Sequence, residues 1–118
     1  MTKMLFLVVA VAVLAPAGTG ARPAGMSTAA VTKVKVAASE FKFVLSAKTA
    51  RRGIVAFTVT NAGAVGHDFK IHGRKTRVLT HGQSETLRVT FLRKGHYTYQ
   101  CTVPGHAAAG MKGVFTIT

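Results

Sequence analysis

Residues 97–118 read YTYQCTVPGHAAAGMKGVFTIT. Tyr97, Tyr99 and Cys101 alternate with Thr98 and Gln100, and further on Phe115 and Ile117 share one face of a closing run from Val114 to Thr118. A period of two sends successive side chains to opposite faces, so each run is a strand with one buried and one wet side. Residues 105–113 break the alternation and form a loop between the two strands. Cys101 ends its strand, so the pleat fixes the direction of its side chain. His106 and Met111 follow at steps of five, within folding-back distance, with Pro104 and Gly105 shaping the turn.

The same period runs outward through the chain. Phe41, Phe43 and Leu45 alternate with polar neighbours, residues 54–60 (IVAFTVT) are rich in β-branched and aromatic side chains, and Leu87, Val89 and Phe91 alternate with Arg88 and Thr90. Gly53, Gly63, Gly66, Gly73, Gly82 and Gly95 separate the runs. Strands are expected over residues 31–38, 40–46, 53–60, 67–72, 77–80, 85–91, 95–101 and 113–118, about seven to eight in all. Many short strands with regular turns and no 3.6-residue pattern imply an all-β antiparallel sandwich or barrel.

The chain has 118 residues, one domain at most. Lys3, an apolar run over residues 4–17 and then small residues have the three-part form of a secretory signal peptide, with cleavage after Ala17 or Ala21. The rival reading is a retained N-terminal anchor, although the apolar run is shorter than the roughly 20 residues that span a bilayer. Residues 22–30 read as a flexible leader, and residues 31–118 as the working domain. Export places the protein in the periplasm or an equivalent extracytoplasmic space, either free or membrane-attached. A single cysteine excludes an internal disulfide, and an odd thiol outside the cytoplasm needs something to hold it. A bound metal does so and adds stability.

The formal charge is +13, from 16 Lys and Arg against 3 Asp and Glu. Such a surface attracts acidic proteins or anionic membranes. The basic residues form pairs and triplets rather than a run, and no helix-turn-helix, zinc-finger or other nucleic-acid signature accompanies them, so nucleic acid is set aside. A solubilising coat is the bland reading of the same charge.

A thiolate, an imidazole and a thioether are soft ligands that suit copper better than calcium or magnesium. One further imidazole would complete the two His, one Cys and weak axial Met of a blue-copper electron-transfer site. The candidates are His67, His72, His81 and His96. His96 lies at odd spacing from Cys101 and faces the other way, and His72 and His81 flank a polar segment and look solvent-facing. His67 follows the turn NAGAVG and opens the run HDFKI, at the mouth of a strand.

The segments VAFTVTNAGAVGHDFKI and YTYQCTVPGHAAAGMKGVFTIT resemble the cupredoxins, the family of plastocyanin, azurin and auracyanin. The first resembles the family's strand, Asn-x-Gly turn and first ligand histidine. The second resembles its ligand loop, with the spacing Cys-x4-His-x4-Met, longer than in plastocyanin and nearer the auracyanin type. The resemblance spans residues 31–118. It implies a Greek-key antiparallel β-sandwich and one type 1 copper bound by His67, Cys101, His106 and Met111. It also implies that Gly66 offers its carbonyl opposite Met111. Where many members have Asn after the first histidine, this chain has Asp68, whose carboxylate can accept from the Thr102 hydroxyl or backbone. A proline expected after the Phe-x-Phe strand is missing at Leu45-Ser46-Ala47, a turn distant from the ligands.

The function implied is that of a monomeric one-electron carrier, not an enzyme, serving redox partners with an acidic docking face. The alternative is copper storage or delivery, against which stands a supply of only Met26 and Met111 beyond the N-terminal segment. Enzymatic readings lack support, since a Cys-His nucleophile has no orienting motif here and a multicopper oxidase needs His-x-His pairs that this chain lacks.

Overall fold

The structure, a computed structural model, describes residues 30–118. The expected signal peptide and all but the last residue of the leader lie outside these. The described chain forms nine strands: β1 (Thr32–Ser39), β2 (Lys42–Leu45), β3 (Thr49–Ala50), β4 (Gly53–Asn61), β5 (Lys70–Ile71), β6 (Arg74–Lys75), β7 (Ser84–Phe91), β8 (Gly95–Gln100) and β9 (Lys112–Ile117). They build two sheets, of order β2-β1-β4-β7 and β3-β9-β8-β5-β6, packed as a sandwich.

The alternation seen in the sequence becomes the core. Val34, Val36 and Ala38 of β1, Val55, Phe57 and Val59 of β4, and Leu87, Val89 and Phe91 of β7 point inward from one sheet; Tyr99, Phe115 and Ile117 meet them from the other. Phe57 sits at the centre, with ring centroids 5.3 Å from Phe69, 5.2 Å from Phe115 and 6.4 Å from Phe91. Tilted and edge-on aromatic pairs at such spacings add to simple area burial.

The sheets are mixed, not antiparallel throughout. β1 runs parallel to β4 (Val34 opposite Phe57), and β3 runs parallel to β9 (Thr49 opposite Thr116). The parallel pair arises because the chain leaves β1 through β2, crosses to the second sheet for β3, and returns into β4 beside β1. The run expected as a strand over 67–72 is shorter: His67 makes a lone bridge to Leu79, and regular pairing covers only Lys70 and Ile71. Phe69 N–H donates to the Thr76 hydroxyl instead of a strand carbonyl. The expected strand at 77–80 reduces to that one bridge, since Arg77 N–H goes to the Glu85 carboxylate and Thr80 N–H to the Gln83 side chain. Phe41, which shares its period with Phe43 and Leu45, leaves the core and is 42% exposed.

The register defines two poles. Ala38 at the end of β1 pairs with Asn61 at the end of β4, Thr60 pairs with Ser84 at the start of β7, and Gln100 pairs with Lys112. These ends, and the loops after β4 and β8, share one pole. The turns joining β3 to β4 and β7 to β8 lie at the other, where Gly53 pairs with Phe91 and Gly95 with Ile117.

Candidate metal centre

Three segments meet at the first pole. Cys101 follows β8 and is 1% exposed; its N–H donates to the Met111 carbonyl at 3.0 Å, which draws the 102–111 loop back onto the strand end. Within that loop His106 N–H donates to Val103 O and Met111 N–H donates to His106 O, both at 3.1 Å. The loop is therefore a tight turn rather than a loose span. Met111 is fully buried and packs with Ala38 and Cys101 in a small apolar cluster of its own.

His67 arrives from the loop after β4. Asn61 organises that loop from its buried position: its side-chain amide donates to Val65 O (2.8 Å) and Leu79 O (2.7 Å), and its oxygen accepts from Gly63 N–H (2.8 Å). His67 is then fixed by reciprocal backbone bonds with Leu79, 3.1 and 2.7 Å long. The result is a compact donor set. The Nδ1 atoms of His67 and His106 lie 3.1 Å apart, Cys101 Sγ lies 3.5 Å from His106 Nδ1, and one ligand atom from each residue falls within 4.8 Å of the others. His67 and Cys101 are buried and His106 is half-buried. Two imidazoles and one thiol converging without a compensating carboxylate fit a soft, borderline metal such as copper. Burial pushes the Cys101 thiol above its ordinary range, so metal binding there must displace its proton.

Two carboxylates support the set. Asp68 is 1% exposed and accepts from Thr102 N–H at 2.5 Å and from the Thr102 hydroxyl, tying the residue after His67 to the residue after Cys101. Hydrogen bonds to a charged acceptor contribute about 1.5–3 kcal/mol each. Asp68→Ala is expected to lower the stability of the metal-free protein by about 3 kcal/mol, read as a shifted denaturant midpoint, because it strips Thr102 of both acceptors. Asp68→Asn keeps one acceptor oxygen and should cost less.

Sequence reasoning missed Glu40. It stands between β1 and β2, and its carboxylate accepts from Ala64 N–H (2.8 Å) and Val65 N–H (3.0 Å) while facing His67 Nε2 at 3.0 Å. The Val65 amide first, and then His67, pull the Glu40 carboxyl down to about 2. The carboxylate places the His67 proton on Nε2 and leaves the Nδ1 lone pair pointing at the donor set, as outer carboxylates do for metal-bound histidines. Gly63 has no side chain for a plain reason: a methyl there would overlap the Glu40 carboxylate. The available signal was scarcity, as Glu40 is one of only 3 acids in the chain.

Other residues singled out in the sequence lie around this set or away from it. Gly66 packs against Val78, where a Cβ would come within 2.8 Å of that side chain. His72, His81 and His96 are exposed and engaged elsewhere, His72 stacked on Phe91, His81 on Gly63 O at 2.8 Å and His96 on the Thr116 hydroxyl at 3.1 Å. Phe41 meets the His106 ring edge-on at 5.0 Å. A shallow depression of about 380 Å³ beside His106 is lined in part by Val65, Val78 and Pro104.

The family model of copper binding proteins, plastocyanin/azurin family, matches residues 29–118. Among solved structures, sodium-dithionite-reduced auracyanin from the photosynthetic bacterium Roseiflexus castenholzii is 26% identical, with a TM-score of 0.65 over 74% of this chain and 97% of that one. Auracyanin A, a "blue" copper protein from Chloroflexus aurantiacus, shares the fold at 17% identity and a TM-score of 0.64, over 75% of this chain and 100% of its own. The copper nitrite reductase of Nitrosomonas europaea also shares the fold (18% identity, TM-score 0.60), but 75% of this chain covers only 41% of that enzyme. No curated protein sequence matches the chain. The matched family and the cluster of His67, Cys101 and His106 fit a single type 1 copper site.

Proposed function

The chain belongs to the plastocyanin/azurin family of copper-binding proteins, and on that premise we propose that it is an exported one-electron carrier. His67, Cys101 and His106 would hold the copper strongly and Met111 weakly, with the Gly66 carbonyl as a further weak donor. The observation that carries this reading is the convergence of two imidazole Nδ1 atoms and one thiol at the buried end of a rigid sandwich. Copper, when bound there, supplies a one-electron couple between its two common oxidation states.

The protein's contribution is to hold its ligands still. Glu40 fixes the His67 ring, Asp68 fixes the backbone after Cys101, and the Cys101–Met111 backbone bond closes the loop. Ligands that barely move keep the reorganisation energy of electron transfer small. His106 is the ligand least covered, and Phe41, Pro104, Ala107 and Ala108 around it offer a small apolar rim for close approach. Arg74, Lys75 and Lys112 lie on strands at the same pole and would steer an acidic redox partner, with association weakening as salt rises.

Titration of metal-free protein with copper(II) tests the reading. One equivalent should produce an intense visible thiolate-to-copper(II) band that bleaches on one-electron reduction and returns on reoxidation. A colourless adduct that passes its copper to a chelator would replace the carrier with a storage or delivery protein.

A further inference from the structure

Charge is unevenly placed along the long axis of the sandwich. The chain's three acids all lie in the half that carries the metal centre: Glu40 and Asp68 beside the ligands, and Glu85 opposite Val59 and bonded to Arg77 at 3.4 Å. The far pole has no acidic side chain. Its two turns instead present Arg51 and Arg52, then Leu92, Arg93 and Lys94, all exposed. Lys48 joins them, because Thr116 N–H donates to its carbonyl at 2.9 Å, and Arg52 N–H donates to Thr118 O at 3.1 Å in the same layer. Lys33 and Arg88, both opposite Ala56, extend the positive field down the adjoining sheet.

Leu92 is 80% exposed, the most open of the large apolar side chains in the described residues. It stands at the tip of a turn, directly before Arg93 and Lys94. A depression of about 340 Å³ lined by His72, Thr90, Leu92, Arg93 and Tyr97 lies at this turn. The exposed Leu92 flanked by cations suits the headgroup layer of a bilayer, where Leu enters the acyl boundary and the cations meet phosphate. β1 enters the sandwich at this same pole, with Thr32 opposite Val55, and brings the exposed Lys33 to it.

The geometry points to the pole formed by the Arg51–Arg52 and Leu92–Lys94 turns as a docking surface for an anionic phospholipid bilayer, which leaves the His106 face directed away from the membrane. The folded domain itself supplies this contact, independently of any N-terminal anchor and of the identity of the bound metal.

Flotation with vesicles of phosphatidylglycerol and phosphatidylcholine, against vesicles of phosphatidylcholine alone, tests it in the full chain. Every variant keeps the same N-terminus, so its contribution is common to all arms. The protein is expected to prefer the anionic vesicles and to leave them as salt rises. R93E/K94E should weaken anionic binding by at least about tenfold, while the same charge change at the metal end, R74E/K75E, should weaken it by less than about threefold. Leu92→Ser, which alters no charge at a side chain that is 80% exposed, should weaken it several-fold and stands in if R93E/K94E fails to fold. Equal loss in both charge-reversed variants would show that net charge alone binds. Undiminished binding to neutral vesicles would assign the contact to the N-terminal segment, and retention on an acidic protein without vesicle binding would assign the pole to a protein partner; each of these outcomes overturns the proposal.

Discussion

Cys101→Ser is expected to abolish the intense visible absorption of the copper(II) protein entirely, while the metal-free fold survives. The band requires a thiolate bound to the metal, and a serine hydroxyl does not ionise at neutral pH to replace it. Cys101 is 1% exposed and packs with Ala38 and Met111, so the substitution places a hydroxyl in a small apolar cluster. That costs about 1–3 kcal/mol, less than the stability of an ordinary domain. His106 Nδ1, 3.5 Å from the sulfur, stands ready to receive the new hydroxyl's hydrogen bond. Copper affinity should fall by more than the about 10–100-fold typical of losing an outer partner of a ligand, because a strong ligand is removed. Visible and paramagnetic resonance spectra read the first effect, a competition titration the second and circular dichroism the intact sheet. A variant that stays blue would remove Cys101 from the ligand set. A variant that unfolds would be resolved by Cys101→Ala, which keeps the pocket apolar and equally lacks the thiolate.

The share of this centre legible in the sequence follows from where its parts lie. Cys101, His106 and Met111 fall within eleven consecutive residues, and the β8 alternation aims the first of them, so spacing alone brought them forward. His67 needed the turn before it and the run after it, and the cupredoxin resemblance separated it from His72, His81 and His96. Glu40 was invisible because its role is entirely long-range: it sits 27 residues from His67, on a turn whose only local pattern is the alternation of Phe41, Phe43 and Leu45. Reading that alternation as core also misplaced Phe41, which turns out to cover His106.

A similar division holds for the fold. β7 and β9 were legible because burial on one face imposes alternation, and β4 because of its run of β-branched and aromatic side chains. β3 and β6 are two residues each and leave no periodic trace. The parallel pairing of β1 with β4 depends on which sheet the chain enters between them, and no local propensity encodes that choice. Residues 67–72 look like a strand because apolar and polar side chains alternate, yet Asp68 turns in to meet Thr102 and breaks the ladder. Site chemistry there overrides sheet pairing.

Phe57→Ala is expected to be the most destabilising single change in the scaffold. Phe57 is fully buried at the meeting point of Phe69, Phe91 and Phe115, with the two sheets on either side. Truncation removes the transfer energy of the ring and leaves a cavity that three other rings cannot close without leaving their own contacts, a loss of about 3–5 kcal/mol. A domain this small has a thin core and total stability of about 5–15 kcal/mol, so much of its margin disappears. Bound metal acts in the opposite direction: a ligand that binds only the native state adds about 4 kcal/mol at a thousandfold excess over its dissociation constant. The metal centre lies at the pole while Phe57 lies mid-strand on β4, so the variant should still form it when folded. Thermal melts with and without copper separate the two effects. The metal-free variant should melt far below the parent protein, copper should recover much of the difference, and the visible band of the loaded variant should match that of the parent. A band that changes with Phe57 would mean that the core and the ligand pole are coupled more tightly than their separate clusters suggest.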